Sequence, residues 1–265
     1  MTTVVNGFTM AYTDEGRGLP LVFVHGFPLA RGAWERQVEA FRSTHRVIAP
    51  DLRGLGESEA PGAAPVAMDR YAADVRALLA RLGAGPAVLI GHSMGGYVVL
   101  AFARLFPELL RGLVLVATKA GPDTPEGAAG RRATADQVRA MGSQVVVDAM
   151  APKMLAAGNP DAPLAARVRA IMEPSKPEGV SAALLGLADR PDSNPLLAGI
   201  RVPTLVVSGT SDALIPHAES EKLAGAIPGA ILRLIPNAGH LVALEQADEF
   251  NAALHSVSIT TPPDA

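Results

Sequence analysis

The chain has 265 residues, enough for one large α/β domain with an insertion, and its 49% of hydrophobic residues can fill a sizeable core. A formal net charge of −3 with scattered basic residues argues against a nucleic-acid partner, and the absence of cysteine excludes disulfides, thiolate metal ligands and a cysteine nucleophile. The N-terminus has no basic leader ahead of an apolar stretch, and no apolar run approaches the roughly 20 residues of a membrane span, so the expectation is a soluble, cytoplasmic chain with no membrane partner and a small-molecule ligand.

The chain opens on Val4-Val5-Asn6-Gly7-Phe8-Thr9-Met10-Ala11-Tyr12, two strands joined by Asn-Gly, the pair that tolerates positive φ at both turn positions. Short apolar runs of buried-strand type follow at Leu21 to Val24, Val47 to Ala49, Ala87 to Ile90, Leu113 to Val116, Thr204 to Val207 and Ile231 to Ile235. Helix-like segments lie between them: Ala33 to Arg42, Met68 to Leu82, Gly95 to Leu105, Ala218 to Ala226 and Ala247 to Leu254. Strands alternating with helices predict a mostly parallel sheet covered on both faces. The alternation lapses over residues 119–194, where helical patterns dominate: Gln144 to Ala157 with a break at Pro152, Asp161 to Met172, and Pro177 to Ala188. The expected organisation is therefore a core of residues 1–118 and 195–265 with a helical cap, residues 119–194, inserted in it. The Thr260-Thr261-Pro262-Pro263 tail is expected to fray.

Gly91-His92-Ser93-Met94-Gly95 sits directly behind the run Ala87 to Ile90 and directly ahead of a helix-like segment. The pattern G-x-S-x-G has a steric reason: the chain turns sharply while the serine takes a strained backbone, so its neighbours must lack bulk. Gly91, Gly95 and Gly96 supply that room. A serine hydroxyl is a weak nucleophile, so a base must take its proton and an acid must orient that base. Asp212 follows the strand Thr204 to Val207, and His240 follows Ile231 to Ile235. Both leave the carboxyl ends of strands, where parallel sheets assemble sites. A capping role for Asp212 and a structural role for His240 are the competing readings, with Asp189 and Asp192 as rival acids that precede a strand instead of leaving one. The order Ser93, Asp212, His240 favours the triad. Backbone N–H groups of Phe27, in His25-Gly26-Phe27-Pro28, and of Met94 are the candidate oxyanion donors, since Pro28 cannot donate. Trp34, Met150, Met154, Leu185, Leu214 and Leu241 are candidates for the substrate pocket, against ordinary packing.

These residues, together with Asp51-Leu52-Arg53-Gly54-Leu55-Gly56-Glu57-Ser58, Gly209-Thr210-Ser211-Asp212 and Asn237-Ala238-Gly239-His240, resemble the α/β-hydrolase fold family over nearly the whole chain. The likeness is to the small Ser-dependent group of carboxylesterases, 3-oxoadipate enol-lactonases, acyl-homoserine lactonases and cofactor-free perhydrolases. It implies hydrolysis of small or medium carboxylic esters or lactones through an acyl-enzyme, with no metal or organic cofactor. The segment Asp51 to Ser58 is expected to be architectural, with Arg53 in an internal ion pair. Epoxide hydrolases and haloalkane dehalogenases of this fold carry Asp at the nucleophile position, so Ser93 argues against both. Carbon-carbon hydrolases usually carry Asn where His92 stands, and Pro28 is shared with perhydrolases, which makes peracid formation a candidate side activity. A hydrolase-shaped ligand receptor without turnover is the reading the intact motif set disfavours. Homo-oligomerisation is left open by the sequence.

Overall fold

Asn6 and Gly7 take φ of 46° and 80° and close a tight hairpin between β1 (Thr2–Val5) and β2 (Phe8–Gly16), as the Asn-Gly pair predicts. In the computed structural model, which describes residues 1–62 and 64–256, the chain continues through β3 (Pro20–Val24), α1 (Glu35–Phe41), β4 (Arg46–Pro50), α2 (Met68–Arg81), β5 (Ala87–His92), α3 (Met94–Leu105) and β6 (Leu110–Val116). The Thr260 to Pro263 tail lies outside the described residues. Next come α4 (Pro125–Met141), α5 (Gln144–Met150), α6 (Ala162–Met172), α7 (Pro177–Ala188) and α8 (Asn194–Leu197). The chain then returns through β7 (Thr204–Gly209), α9 (His217–Ala226), β8 (Ile231–Ile235), α10 (Val242–Glu245) and α11 (Ala247–His255). The strands form one eight-stranded sheet in the order β1-β2-β4-β3-β5-β6-β7-β8. β2 runs antiparallel to β1 and β4, and the remaining pairs from β4 to β8 are parallel.

Alternate residues of each strand feed opposite faces, which is why both faces need cover. Val22, Val24, Leu89, Leu113, Leu115 and Val206 belong to a core shared with α2 and α3, whereas Leu21, Phe23, Val88, Ile90, Val114 and Val207 pack with Trp34, Phe41 of α1 and Phe250 of α11. Every predicted strand is present, and the helical patterns fall where the 3.6-residue period places them. Pro152 ends α5 through a short 3-10 turn at Ala151–Lys153, because proline cannot donate within a helix.

The stretch between β6 and β7 holds no strand among the described residues. It contains α4, for which the sequence reading named no helix. Thr124 caps it by accepting the Gly127 N–H at 3.1 Å, and Pro125 occupies its first turn. Within this stretch, α7 is pressed directly onto core segments. A Cβ on Gly179 would overlap the Gly54 carbonyl, and one on Gly186 would overlap the Val66 carbonyl, so only glycine lets the helix lie on that loop. Val66 N–H then donates to the Ala182 carbonyl at 3.1 Å. A third apolar cluster, including Leu29, Val147, Met154, Ile171 and Leu241, ties α5 and α6 to the loops after β3 and β8.

The Asp51 to Ser58 segment is a self-bonded loop. Asp51 is fully buried and accepts the Arg31 and Glu57 N–H groups at 2.6 and 2.9 Å, while the Ser58 hydroxyl donates to the Asp51 carbonyl at 2.7 Å. Arg53 pairs with Asp74 through two hydrogen bonds of 2.7 and 2.8 Å and lies over the Phe8 ring, the internal ion pair expected of it.

Candidate active site

Ser93 lies at the junction of β5 and α3 with φ 52° and ψ −114°, a backbone that L-residues rarely adopt. The turn is held from three sides: Ser93 N–H donates to Val116 O at 2.9 Å, and its carbonyl accepts the Gly96 N–H at 2.9 Å and the Thr118 hydroxyl at 2.8 Å. A Cβ on Gly91 would overlap the Gly95 carbonyl, one on Gly95 the Val24 carbonyl, and one on Gly96 the Thr118 side chain. The three glycines therefore permit the approach of β5, α3 and β3 that presents Ser93 at the carboxyl end of the sheet.

The loops after β7 and β8 are zipped together by backbone: Thr210 N–H donates to Ile235 O at 3.0 Å and Ser211 N–H to Ala238 O at 2.9 Å. This brings Asp212 to His240, whose Nδ1 lies 2.8 Å from Asp212 Oδ2. The other carboxylate oxygen accepts the Leu214 and Ile215 N–H groups at 2.8 and 3.0 Å. Burial pushes the Asp212 carboxyl up, but the His240 hydrogen bond and charge together with the two N–H donors outweigh it and hold the group below the usual carboxylate range. An ionised Asp212 is acceptor-only, so Nδ1 of His240 carries the shared proton and Nε2 is left to accept one. Glu245 fixes the preceding loop by accepting the Gly239 N–H at 2.6 Å, the Ala156 N–H at 3.0 Å and the Asn159 amide at 2.5 Å.

His92 stands behind this pair. Its Nε2–H donates to the His240 carbonyl at 2.9 Å, and its ring packs against His240 and, edge-on, against Trp34. Burial first, and the neighbouring His240 second, lower its pKa to about 3, so it is neutral and its Nδ1 stays buried without a partner among the described residues. His25 at the end of β3 accepts the Leu52 N–H at 2.9 Å on Nε2 and donates from Nδ1 to Gly26 O at 2.8 Å, fixing the loop that carries Phe27.

Ser93 and His240 line one cavity of about 590 Å³ with Phe27, Met94, Met150 and Leu214 among its walls. Neither Phe27 nor Met94 N–H donates to a protein acceptor among the described residues, whereas those of Leu29, Ser93 and Gly96 do. Four pocket candidates lie elsewhere. Trp34 is fully buried against Phe23 and Phe250 on the opposite face of the sheet, because a ring of that size fills the space under α11. Met154 and Leu241 are packed into the third apolar cluster and joined by a 2.8 Å backbone bond, which ties them to each other and not to the cavity. Leu185 packs against the larger core cluster, while Leu187, on another face of the same helix, reaches the cavity.

The rival acids are engaged elsewhere: Asp189 pairs with Arg132 at the surface, and Asp192 accepts the Asn194 N–H at 2.9 Å. Sequence reasoning missed Tyr97, Lys119, Asp123, Arg131 and Glu219 of the cavity wall. Lys119 was findable, since it follows the carboxyl end of β6, where parallel sheets collect functional groups. Glu245 gave no signal, because a carboxylate on a short helix reads as surface.

Among solved structures, a thermophilic esterase from Thermogutta terrifontis, malate bound, superposes with a TM-score of 0.92 at 41% identity, covering 96% of this chain and 95% of that one. The enol-lactonase of Burkholderia xenovorans LB400 gives 0.88 at 29% identity, covering 97% and 98%. The non-heme haloperoxidase of Rhodococcus erythropolis is 32% identical over 96% of this chain and 97% of its own length. Two epoxide hydrolases match over less, this chain spanning 44% and 32% of their lengths. The profile of the alpha/beta hydrolase fold matches residues 20–247, and with the sheet order and elbow described above the chain belongs to the alpha/beta hydrolase family.

Proposed function

We propose that the protein is a serine hydrolase of small to medium carboxylic esters. The observation that carries this reading is the convergence on one cavity of Ser93 at its elbow, the Asp212-bonded His240, and the undonated N–H groups of Phe27 and Met94. His240 Nε2 takes the Ser93 hydroxyl proton as Oγ attacks the ester carbonyl carbon. The carbonyl π electrons move onto oxygen, and the Phe27 and Met94 N–H groups, aided by the α3 N-terminus, bind that oxyanion. Collapse expels the alkoxide, which takes the proton from His240 and leaves as the alcohol. Water then repeats the cycle on the acyl-enzyme and releases the carboxylic acid. Asp212 stabilises the imidazolium at each transfer. The helices of residues 119–194 act as the cap over the cavity.

Ser93→Ala lowers turnover of p-nitrophenyl acetate by several orders of magnitude and abolishes labelling by a fluorophosphonate. Retention of most activity, or labelling at another residue, would remove the assignment. The likeness to an enol-lactonase supports a second reading, lactone opening, in which the same machinery acts on a ring whose leaving group stays attached. A panel pairing lactones with linear esters of equal carbon number separates the two, since only a lactonase strongly prefers the rings. Peracid formation, supported by Pro28 and the haloperoxidase relative, is assayed as acetate- and peroxide-dependent monochlorodimedone bromination.

A further inference from the structure

Beyond the reacting atoms, the cavity has a charged wall made by the loop after β6, α4 and α9. Lys119 leaves the end of β6 next to Thr118, the residue that braces the Ser93 carbonyl, and Arg131 reaches in from α4. Both side chains are 29% exposed, and both line the space that Ser93 and His240 share. Arg131 also lines an adjoining, more apolar cavity of about 320 Å³ with Phe27, Met150 and Leu184. The two spaces have Phe27, Asp123, Arg131 and Met150 in common, so Arg131 stands where they meet.

Two carboxylates share this wall, and each has a cation of its own. Asp123 is bonded by Arg131 and, at 2.8 Å, by the buried Arg190, which is in turn held by the Leu187 and Gly121 carbonyls and by the Tyr97 ring. Glu219 is paired with Lys222 at 2.5 Å. Lys119 Nζ is 3.8 Å from Asp123, an ion pair beyond hydrogen-bonding reach, and donates no hydrogen bond among the described residues. Its ammonium is desolvated by burial and repelled by Arg190, which lowers its pKa from the usual lysine range. A partly buried ammonium with unfilled donors is electrostatically incomplete, and an anion in the cavity would complete it.

We propose that Lys119 and Arg131 form a carboxylate-binding subsite, so that the substrate is an ester or lactone bearing a carboxylate remote from the bond that Ser93 cleaves. This inference rests on the serine hydrolase reading and names its substrate class. The carboxylate accepts from Lys119 Nζ and the Arg131 guanidinium while the reacting carbonyl sits at Ser93. Asp123, already neutralised by Arg190, keeps Arg131 oriented.

Two matched pairs test it. Mono-p-nitrophenyl glutarate against p-nitrophenyl pentanoate puts the charge on the acyl half, and 4-acetoxybenzoate against 4-acetoxybenzamide puts it on the leaving half. The native enzyme prefers the anionic member of at least one pair by about ten- to a hundredfold in kcat/KM, the scale of a charge-assisted hydrogen bond. Lys119→Met removes at least tenfold of that ratio through KM, and Lys119→Arg restores it. Glutarate competitively inhibits the native enzyme and glutaramide does not, a readout that needs no variant to fold. Preference absent from both pairs, or a ratio unchanged in Lys119→Met, overturns the subsite while neutral-ester turnover leaves the serine hydrolase reading standing. Failure to turn over any ester overturns that reading instead.

Discussion

The carboxyl ends of β5, β7 and β8 and the helical stretch between β6 and β7 share one cavity but are built by opposite means. At the strand ends each group is placed by backbone: Ser93 by a strained turn, Asp212 by two N–H donors, His240 by loops bonded main chain to main chain. In α4, the helix of that stretch which brings Arg131 to the cavity, placement depends on side chains over thinly packed surface. α4 buries only Ala135 and Val138, and its Arg131 is held by an ion-pair network. On the proposed reading, the first region supplies the reacting groups and tolerates little change, whereas α4 can vary at smaller cost and bears on what the cavity accepts.

Substitution of the acid gives the largest expected effect. Asp212→Asn keeps the shape of the side chain, but its amide NH₂ cannot accept from His240 Nδ1–H as the carboxylate does. The imidazole then favours the other tautomer and loses support as an imidazolium. The kcat falls on the order of 10⁴-fold with little change in KM, measured on a neutral p-nitrophenyl ester. A loss below tenfold would mean that Asp212 is a turn residue and nothing more.

Next is the elbow itself. Gly91→Ala places a methyl against the Gly95 carbonyl and Val99, where all of the nearby partners are backbone or tightly packed. The strand and helix must separate, at a cost of about 3 kcal/mol read from urea unfolding. A substitution such as Gly130→Ala, in the middle of α4 with nothing near the new Cβ, stabilises by up to about 1 kcal/mol. The two glycine substitutions thus differ in sign between the two regions.

His92, behind the strand-end region, ties stability to pH. Its unfolded pKa is near 6.5, while burial and His240 hold the folded value at about 3. Between those values the unfolded chain binds the proton and the folded chain does not. The contribution is fully present above pH 6.5 and is lost as pH falls toward 3. His92→Asn therefore removes about 1.4 kcal/mol per pH unit from the slope of stability across that interval, measured by urea unfolding at pH 6, 5 and 4. An unchanged slope would show that His92 already carries a proton in the folded protein.

The same division explains what could be read from the chain. The inner strands show as short apolar runs because they are covered on both faces, and Ser93, Asp212 and His240 each follow one within five residues of its end. The contents of the cavity wall do not have such a period. Leu185 and Leu187 are two residues apart and roughly 200° apart around α7, so without the helix's rotation the wrong one is chosen. Trp34 and Met154 are large apolar residues that the sequence leaves open to either pocket or packing, and packing claims them. α4 escaped notice because Gly127 and Gly130 and a narrow apolar stripe dilute its pattern, although Thr124-Pro125 marks its start.

That start carries the smallest effect. The Thr124 hydroxyl accepts the Gly127 N–H at an exposed helix end, a bond worth about 1 kcal/mol to the helix. Because α4 packs mainly on α7 and buries few of its own residues, Thr124→Ala loosens α4 more than it destabilises the sheet. Hydrogen exchange should quicken in α4 while protection of β5 and β6 stays unchanged. Activity on a neutral ester then changes less than threefold, whereas kcat/KM for an anionic ester falls further, since Arg131 is carried by the loosened helix. Equal loss on both substrates would show instead that α4 supports the strand ends, and that the two regions are mechanically one.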